Sequence, residues 1–216
     1  MKVLESSPKR YDRGMKILFF GNLDQIYDRL ISDIQKGQKV LDIGCGTGAL
    51  ILKAAQRGAQ VKGIDINAQM LEVAKEKAEQ WGLEQMTEFQ EKGVSELDKE
   101  EEASYDAVTS GLCFSELSED EIRYALRHIK RILKKDGLLL IADEVRPQNI
   151  LRKIIHWLIK IPLWIVTYIG TQTSTRAVRN LPDKIKQTGF LIERMRFNSI
   201  RDFMELKARN RKDKAE

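Results

Sequence analysis

An acidic residue and three alternating glycines form the segment of this sequence with the clearest chemical meaning. Asp42 is followed by Gly44, Gly46 and Gly48, between an apolar stretch and the start of a helical pattern. Such glycines let a backbone turn tightly and approach a ligand closely. A second acid, Asp65, closes the next apolar stretch about 20 residues later, a spacing at which a carboxylate reaches ribose hydroxyls. The arrangement predicts a site for a nucleoside-bearing ligand.

The spacing of the glycines narrows the choice of ligand. A dinucleotide fingerprint reads G-x-G-x-x-G, and the N-terminus of its helix holds a pyrophosphate. Here the glycines alternate over residues 44–48, and Asp42 precedes them. A carboxylate at this place repels a pyrophosphate but attracts a ligand that carries an ammonium and a sulfonium. The pattern therefore favours a cationic ligand.

Residues 42–48 resemble motif I of the class I S-adenosylmethionine-dependent methyltransferases. Residues 105–108 and 132–140 resemble later motifs of the same family, so the resemblance covers most of the chain. It implies S-adenosylmethionine as the cofactor and S-adenosylhomocysteine as the product. It also implies that the glycine loop wraps the methionine part of the cofactor and that Asp65 binds the ribose.

The residues expected at the cofactor site lie at the carboxyl ends of the first four predicted strands. In the family's third-strand loop, an aspartate commonly accepts a hydrogen bond from the adenine amino group. Gly93 stands there in this chain, so the contact is absent or is made by Ser95 or Glu91. Cys45 occupies a variable position of the loop, where we expect a structural role. The full set is Asp42, Gly44, Cys45, Gly46, Thr47, Gly48, Asp65, Ile66, Met70, Gly93, Val94, Ser110 and Gly111.

Strand and helix patterns alternate along the chain, and the strands are nearly continuous apolar runs. This is typical of a parallel sheet that is covered on both faces. Two last strands, 190–197 and 203–208, are joined by too short a link for a crossover helix and must pair antiparallel. We predict an α/β fold with a Rossmann-like, seven-stranded, mostly parallel sheet, helices on both faces and one antiparallel strand. The predicted parallel strands are 39–43, 60–64, 87–90, 105–109 and 138–142, and the predicted helices include 49–57, 67–81 and 119–133.

Length and composition indicate a single methyltransferase domain over 1–216. Within it we expect an N-terminal arm and helices at 1–37 and a helical insertion or lid at 146–180. Two cysteines and no visible signal peptide indicate a reducing, cytoplasmic location. Residues 146–216 carry a net charge of about +10, against about −8 over residues 41–145. The basic third is either a site for an anionic partner or a solvated face, and we expect no nucleic acid partner.

The apolar centre of the insertion, residues 154–166, is too short for a membrane span and is interrupted by Lys160 and Pro162. Three interpretations remain open. The segment is a lid over the active site, a membrane-surface or partner-binding helix, or part of the core. Two tryptophans with flanking basic residues support peripheral membrane contact through residues 150–170.

Methyl transfer from a sulfonium needs alignment and exclusion of water, and it needs a base only if the acceptor must lose a proton. The sequence identifies no catalytic residue and predicts no metal site. Residues 110–117 lack the histidines that many small-molecule methyltransferases carry at this strand exit. Four residues are candidates for substrate contact: Tyr11, Cys113, Glu144 and His156. For Cys113 a buried structural thiol, and for Glu144 an ion pair with Arg146, are the competing interpretations.

The broad layout is similar to that of the ubiquinone and menaquinone methyltransferases. Residues 2–8, 110–120, 142–147 and 175–178 resemble more closely the corrinoid protein-associated methyltransferases. This narrower resemblance predicts a corrinoid, or a protein that carries one, as methyl acceptor, because reduced cobalt needs no base. Two other hypotheses remain: a quinone-like or lipophilic acceptor, and a non-catalytic module that binds S-adenosylmethionine.

Overall fold

The computed structural model describes residues 21–145, 178–199 and 201–211, together with residues 8, 12 and 15. Their central element is a seven-stranded sheet with the strand order β3-β2-β1-β4-β5-β7-β6. After β3 the chain returns to the middle of the sheet, where β4 pairs with the other side of β1. The carboxyl ends of β1 and β4 therefore flank the switch in strand order where ligands bind in such sheets. The strands are β1 Lys39–Ile43, β2 Gln60–Asp65, β3 Thr87–Glu91, β4 Tyr105–Gly111, β5 Leu133–Glu144, β6 Phe190–Phe197 and β7 Phe203–Asn210.

The predicted Rossmann-like sheet is confirmed. Strands β1 to β5 pair in parallel, and β7 runs antiparallel to both β5 and β6. One boundary was wrong, because β5 begins at Leu133 and the preceding helix ends at Ile132, whereas the sequence pattern placed the strand start at residue 138. Leu133 already pairs with Tyr105 of β4, so tertiary pairing extends the strand beyond its apolar run.

Helices cover the sheet on both faces. The described helices are α1 Leu23–Leu30, α2 Ala49–Gln56, α3 Ala68–Gln80, α4 Glu119–Ile132 and α5 Leu181–Gln187, with short 3-10 helices at Val94–Lys99 and Phe114–Glu116. Alternate residues of β1 enter different layers of the core, because successive side chains of a strand point to opposite faces. Val40 packs with residues of α1, α2 and α3, whereas Leu41 packs with residues of α4 and α5.

The start of α4 is fixed by its own sequence. The Ser118 hydroxyl accepts a hydrogen bond from the Glu121 backbone N–H, and the Glu121 carboxylate accepts one from the Ser118 N–H, which together form a capping box. This cap fixes where the connection from β4 ends and thereby limits the 3-10 helix before it to residues 114–116.

A buried ionic cluster on the α4 side of the sheet joins β2, β4 and the end of β3. The Glu100 carboxylate accepts hydrogen bonds from Lys62 at 2.7 Å, from Lys92 at 3.2 Å and from the Tyr105 hydroxyl at 2.6 Å. Burial by itself would raise the pKa of Glu100, but the hydrogen bonds from Lys62 and Tyr105 outweigh it and lower the pKa to about 2. Glu100 thus stabilises the folded state as a carboxylate.

We expect Glu100→Gln to reduce the free energy of unfolding by about 2 kcal/mol at pH 7, because two lysines lose a charged partner. The folded-state pKa lies below the unfolded one, so this contribution is complete above about pH 4.5. It should shrink as the pH falls towards 2. Urea unfolding of both proteins from pH 7 to pH 3 measures this. Glu96→Gln is the matched control, since Glu96 pairs with Lys99 at the protein surface. An equal loss at pH 3 and pH 7 would contradict the charged cluster.

No helix among the described residues is long and apolar enough to cross a membrane. The described residues do not include most of residues 1–20, which precede α1. They also do not include residues 146–177 of the insertion. The predictions of an arm and of a lid therefore stay predictions.

Candidate active site

The glycine loop connects β1 to α2 and packs tightly on the exit of β4. The backbone N–H groups of Gly44 and Cys45 both donate to the Ile64 carbonyl of β2, at 2.8 and 3.1 Å. Gly44 has φ +69°, and a Cβ built on it would lie 2.5 Å from the Cβ of Cys113. Gly46 has φ +51°, and a Cβ built there would meet no atom within 4 Å. The loop is therefore closely packed at Gly44 and open at Gly46.

Asp65 ties the ends of β1 and β2 together. Its carboxylate accepts hydrogen bonds from the backbone N–H of Gly46 at 2.8 Å and from that of Asn67 at 2.9 Å. Burial raises the pKa of Asp65, and the two backbone donors act against that rise. The Asn67 side chain in turn caps α3 by accepting from the N–H groups of Gln69 and Met70. A carboxylate is thus held at the end of β2, next to the open part of the glycine loop.

Asp42 is a second buried carboxyl under the same loop, with 1% of its surface exposed. Its Oδ1 accepts a hydrogen bond from the Thr109 hydroxyl at 2.7 Å, and its Oδ2 has no partner among the described residues. Burial raises the pKa of Asp42 to about 7; the Thr109 hydrogen bond lowers it, and the negative charge of Asp65 adds to the rise. A buried acceptor without a donor costs free energy until a partner supplies one.

These observations fit S-adenosylmethionine. The open face at Gly46 gives room for close approach, the Asp42 carboxyl has an unused acceptor atom, and Asp65 adds negative charge. When bound, the cofactor supplies an electrophilic methyl group on a sulfonium. The residues that would hold it are the loop 44–48, Asp42 and Asp65, and the apolar side chains of Ile66 and Met70 would border its adenosine.

The loop after β3 adds an apolar edge to the one that Ile66 and Met70 form. Val94 and Met70 are both buried, and a Cβ built on Gly93 would lie 3.2 Å from Cγ2 of Ile66. Ser95 and Glu91 are exposed, so both remain available to an adenine amino group. The absence of an aspartate at Gly93 lets the loop lie close against Ile66.

The loop also receives a contact from the N-terminal segment. The Thr47 hydroxyl donates a hydrogen bond to Asp12 at 2.6 Å, and Lys77 of α3 donates to Asp12 at 2.9 Å and to the Thr47 carbonyl at 3.1 Å. The side chain of Thr47 is therefore engaged with Asp12. Its neighbour Cys45 is buried against Gly63, as expected for a structural residue.

The exit of β4 forms the other wall of the site. The Ser110 hydroxyl donates to the Ile43 carbonyl at 3.0 Å, which fixes the ends of β4 and β1 together. A Cβ built on Gly111 would lie 2.6 Å from the hydroxyl oxygen of Tyr27, so α1 contributes a tyrosine beside this strand end. Tyr27 was missed in the sequence, where it is one of several large residues on the buried face of a helix.

Two of the four candidates for substrate contact belong to this wall. Cys113 is half-buried against Gly44, and burial, followed by the charges of Glu116 and Asp143, raises the pKa of its thiol. A thiol that stays protonated is a poor nucleophile. Glu144 is buried at the end of β5, where its backbone N–H donates to Asp143 at 2.7 Å. Tyr11 and His156, like Arg146, lie outside the described residues.

The described residues contain no group of three histidine, cysteine, aspartate or glutamate side chains that could hold a metal ion. His128 lies on α4, half-buried, with its ring 4.2 Å from that of Tyr124 between centroids. Burial, followed by the charge of Arg131, lowers the pKa of His128, which is consistent with packing on the helix surface.

Binding of a cation next to Asp42 should release a proton. Because the pKa of Asp42 is about 7 without a ligand, we expect the affinity for S-adenosylmethionine to rise from pH 6 to pH 8. The slope approaches tenfold per pH unit for each proton released, and the affinity levels off at higher pH. Titration calorimetry in two buffers of different ionisation enthalpy counts the protons. Asp42→Asn should flatten the profile; a wild-type affinity that is constant with pH would contradict the assignment.

Comparisons with known proteins agree with this geometry. Residues 40–137 match the model of a methyltransferase domain family. A demethylmenaquinone methyltransferase from Staphylococcus aureus (strain MRSA252) is 31% identical over 151 residues, which cover 68% of this chain and 60% of the relative. An uncharacterized methyltransferase from Synechocystis sp. is 30% identical over 163 residues, which cover 74% of this chain and 70% of the relative. Two further curated relatives are 41% and 32% identical to this chain, and the match covers only 42% of the length of each relative.

A solved structure supports the same fold. The geranyl diphosphate C-methyltransferase from Streptomyces coelicolor A3(2), solved with Mg²⁺, geranyl diphosphate and S-adenosylhomocysteine, has a TM-score of 0.66 and 12% identity. The match covers 85% of this chain and 78% of that one. The chain belongs to the class I S-adenosylmethionine-dependent methyltransferases. The methyl donor of this class is S-adenosylmethionine, the ligand that the glycine loop predicts.

Proposed function

We propose that this enzyme transfers the methyl group of S-adenosylmethionine to a lipophilic, quinone-like small molecule in its reduced form. The observation that carries this proposal is the match over 68% of the chain to a demethylmenaquinone methyltransferase. The exit of β4 is compatible with such an acceptor, because it is apolar there: Leu112 follows Gly111 and packs in the same core layer as Tyr27.

The chain's own residues contribute binding and positioning. Asp65 and the backbone of the glycine loop fix the donor on one side, and the connection from β4 to α4 borders the acceptor on the other. The buried carboxyls favour a cationic donor over its neutral thioether product, which promotes exchange after transfer. The methyl carbon and the acceptor atom are thereby aligned away from water.

A corrinoid acceptor is the second candidate. The sequence of residues 110–120 and 142–147 supports it, since both segments resemble the corrinoid protein-associated methyltransferases. Residues 110–111 end β4 and residues 142–144 end β5, so parts of both segments lie at the same edge of the sheet as the glycine loop. Reduced cobalt is a nucleophile that carries no proton, which separates this acceptor chemically from a quinol.

The test is transfer of labelled methyl from S-adenosylmethionine under reducing conditions. The acceptors are a naphthoquinol with a short prenyl chain, its oxidised quinone, and a corrinoid reduced to the Co(I) state. We expect label in the naphthoquinol and none in the quinone, with Asp65→Asn as the inactive control. Label in the corrinoid alone would replace the proposed acceptor by the second candidate. Saturable donor binding without transfer to any acceptor would support a non-catalytic binding module.

We also propose peripheral membrane contact through residues 150–170, because a lipophilic acceptor resides in a membrane and this segment is apolar with basic flanks. Sedimentation with vesicles that contain anionic lipid, with and without residues 150–170, tests this. Equal sedimentation of both proteins would refute it.

A further inference from the structure

Glu116 occupies a defined place between β4 and α4. It is the last residue of the 3-10 helix Phe114–Glu116, and its backbone N–H donates to the Cys113 carbonyl at 3.0 Å. Cys113 lies against Gly44 of the cofactor loop, so the turn that carries Glu116 is packed on the donor site. Unlike the two residues before it, which are fully buried, Glu116 has an exposed side chain.

Hydrogen bonds and packing fix the turn that carries Glu116 and keep this residue out of the core. The Ser115 hydroxyl donates to the Leu112 carbonyl at 3.3 Å, and the Ser115 N–H donates to the buried Asp143 carboxyl at 3.3 Å. Phe114 has no exposed surface and packs in the core with residues of α4. The residue after Phe114 and Ser115 is therefore directed to the open side of the β4 exit, where the acceptor must approach.

The Glu116 carboxyl has no hydrogen-bond or ion-pair partner in the part of the chain that the structure describes. The three acids in the first turn of α4 are all engaged: Glu119 pairs with Lys184, Asp120 pairs with Arg123, and Glu121 closes the capping box. A free carboxyl on a rigid turn beside a donor site is available to a ligand.

The surroundings of Glu116 adjust its proton affinity. Burial among the protein atoms of the site, followed by the negative charge of Asp65 at the end of β2, raises the pKa of Glu116 to about 7. The Cys113 thiol on the same turn is protonated and adds no charge. The side chain of Glu116 as a whole is exposed, while the protein atoms around it partly desolvate its carboxyl. Both occur together when a side chain lines the wall of a depression.

We propose that Glu116 is the catalytic base that accepts a proton from the methyl acceptor, which is therefore a protic nucleophile such as a phenol or quinol. This inference rests on the proposed function and extends it to the chemistry of the acceptor. Glu116 is the second functional residue that the sequence did not single out, although it lies within the strand exit where other methyltransferases carry histidine.

In the transfer step, the acceptor O–H gives its proton to the Glu116 carboxylate, and the electron pair left on oxygen forms a bond to the methyl carbon. The bond between the methyl carbon and sulfur breaks, and its electron pair stays on sulfur as a neutral thioether. Solvent then removes the proton from Glu116. Where the ring carbon next to the oxygen is the nucleophile instead, it takes the methyl group and loses its own proton to solvent, and the oxygen recovers the proton held by Glu116, so the product is again an aromatic quinol.

The first test compares turnover of the wild type, Glu116→Gln and Glu116→Asp with the naphthoquinol. A positioned base contributes about 10²- to 10⁴-fold, so we expect kcat to fall at least 100-fold in E116Q, with the KM for S-adenosylmethionine within about twofold. Wild-type kcat should rise through about pH 7, and this rise should disappear in E116Q. E116D should recover part of the rate. Glu119→Gln makes the same chemical change three residues away, outside the site, and should leave kcat unchanged.

The second test needs no turnover. In the presence of S-adenosylhomocysteine, the wild type should bind 1-naphthol more tightly at pH 8 than at pH 6, because the ionised Glu116 carboxylate accepts a stronger hydrogen bond from the naphthol hydroxyl than the protonated carboxyl does. E116Q should bind it with an affinity that does not change over this range.

The outcomes separate this inference from the proposed function. If E116Q retains kcat within threefold and keeps the wild-type pH profile, the base assignment is wrong while the quinol acceptor stands. If only the Co(I) corrinoid accepts the methyl group, both the quinol acceptor and the base are overturned. Loss of S-adenosylhomocysteine binding in E116Q would instead assign Glu116 to the donor site and would also overturn the inference.

Discussion

Replacing Asp65 by asparagine should reduce the affinity for S-adenosylmethionine on the order of 100-fold. The carboxylate of Asp65 accepts from two backbone N–H groups, of Gly46 and Asn67. An asparagine offers one oxygen and one NH₂ group, so a donor would face one of these backbone donors. The same substitution removes the negative charge and an acceptor for the ribose hydroxyls. Charged hydrogen bonds of this kind contribute about 1.5 to 3 kcal/mol each, which corresponds to roughly 10- to 150-fold.

Titration calorimetry with S-adenosylhomocysteine and S-adenosylmethionine measures this loss. Asp98→Asn is the matched control, because Asp98 is exposed on the 3-10 helix Val94–Lys99 and forms no ion pair with any residue that the structure describes. It should bind both ligands as the wild type does. Thermal unfolding of D65N separates a folding defect from a binding defect. Wild-type affinity in a folded D65N protein would mean that Asp65 only joins two loops.

The second large effect is expected at Gly46. A Cβ on Gly46 meets no atom of the described residues within 4 Å, so Gly46→Ala leaves their packing unchanged and fills space that is open to a ligand. The positive φ of Gly46 by itself costs an alanine roughly 1 to 2 kcal/mol of folding free energy. We expect a modest loss of stability together with a loss of cofactor affinity on the order of 100-fold, because the methyl group occupies the space where the backbone approaches the donor.

Gly37→Ala provides a control with the same backbone penalty. Gly37 has φ +80° and open space around its Cβ position, but it lies in the turn before β1, away from the cofactor loop. Both variants should unfold at similarly reduced urea concentrations, and only G46A should lose binding. Gly44→Ala completes the series, since its Cβ would collide with Cys113 and should destabilise the fold itself. Equal affinities of G46A and G37A would exclude Gly46 from the donor site.

The donor side of the enzyme was readable from the sequence because its chemistry depends on local spacing. The alternating glycines and the acids at Asp42 and Asp65 sit at ends of apolar strands, and strand periodicity fixes where those ends fall. The parallel sheet followed from the alternation of elements, since each short connection leaves few possible topologies. Even the reversed β7 could be predicted, because its link to β6 is too short for a crossover.

The start of β5 and the contacts around the exit of β4 could not be predicted from local sequence patterns. Leu133 became a strand residue because Tyr105 offers a pairing partner, which a helical pattern ending at that point does not reveal. Tyr27 reaches Gly111 from a helix that is more than 80 positions away in the chain, and sequence periodicity marks it only as a buried residue.

The sequence by itself determined the class of enzyme and its methyl donor, because a few residues close together in the chain create both the turn and the charge that S-adenosylmethionine needs. Only the tertiary structure decided which side chains lie at the exit of β4 beside the donor site. Glu116 differs from its acidic neighbours through its surroundings: it has no ion pair among the described residues, and burial, followed by the charge of Asp65 from a different strand, raises its pKa to about 7. Proton affinity of this kind depends on distances between groups that are remote in sequence, and folding sets those distances.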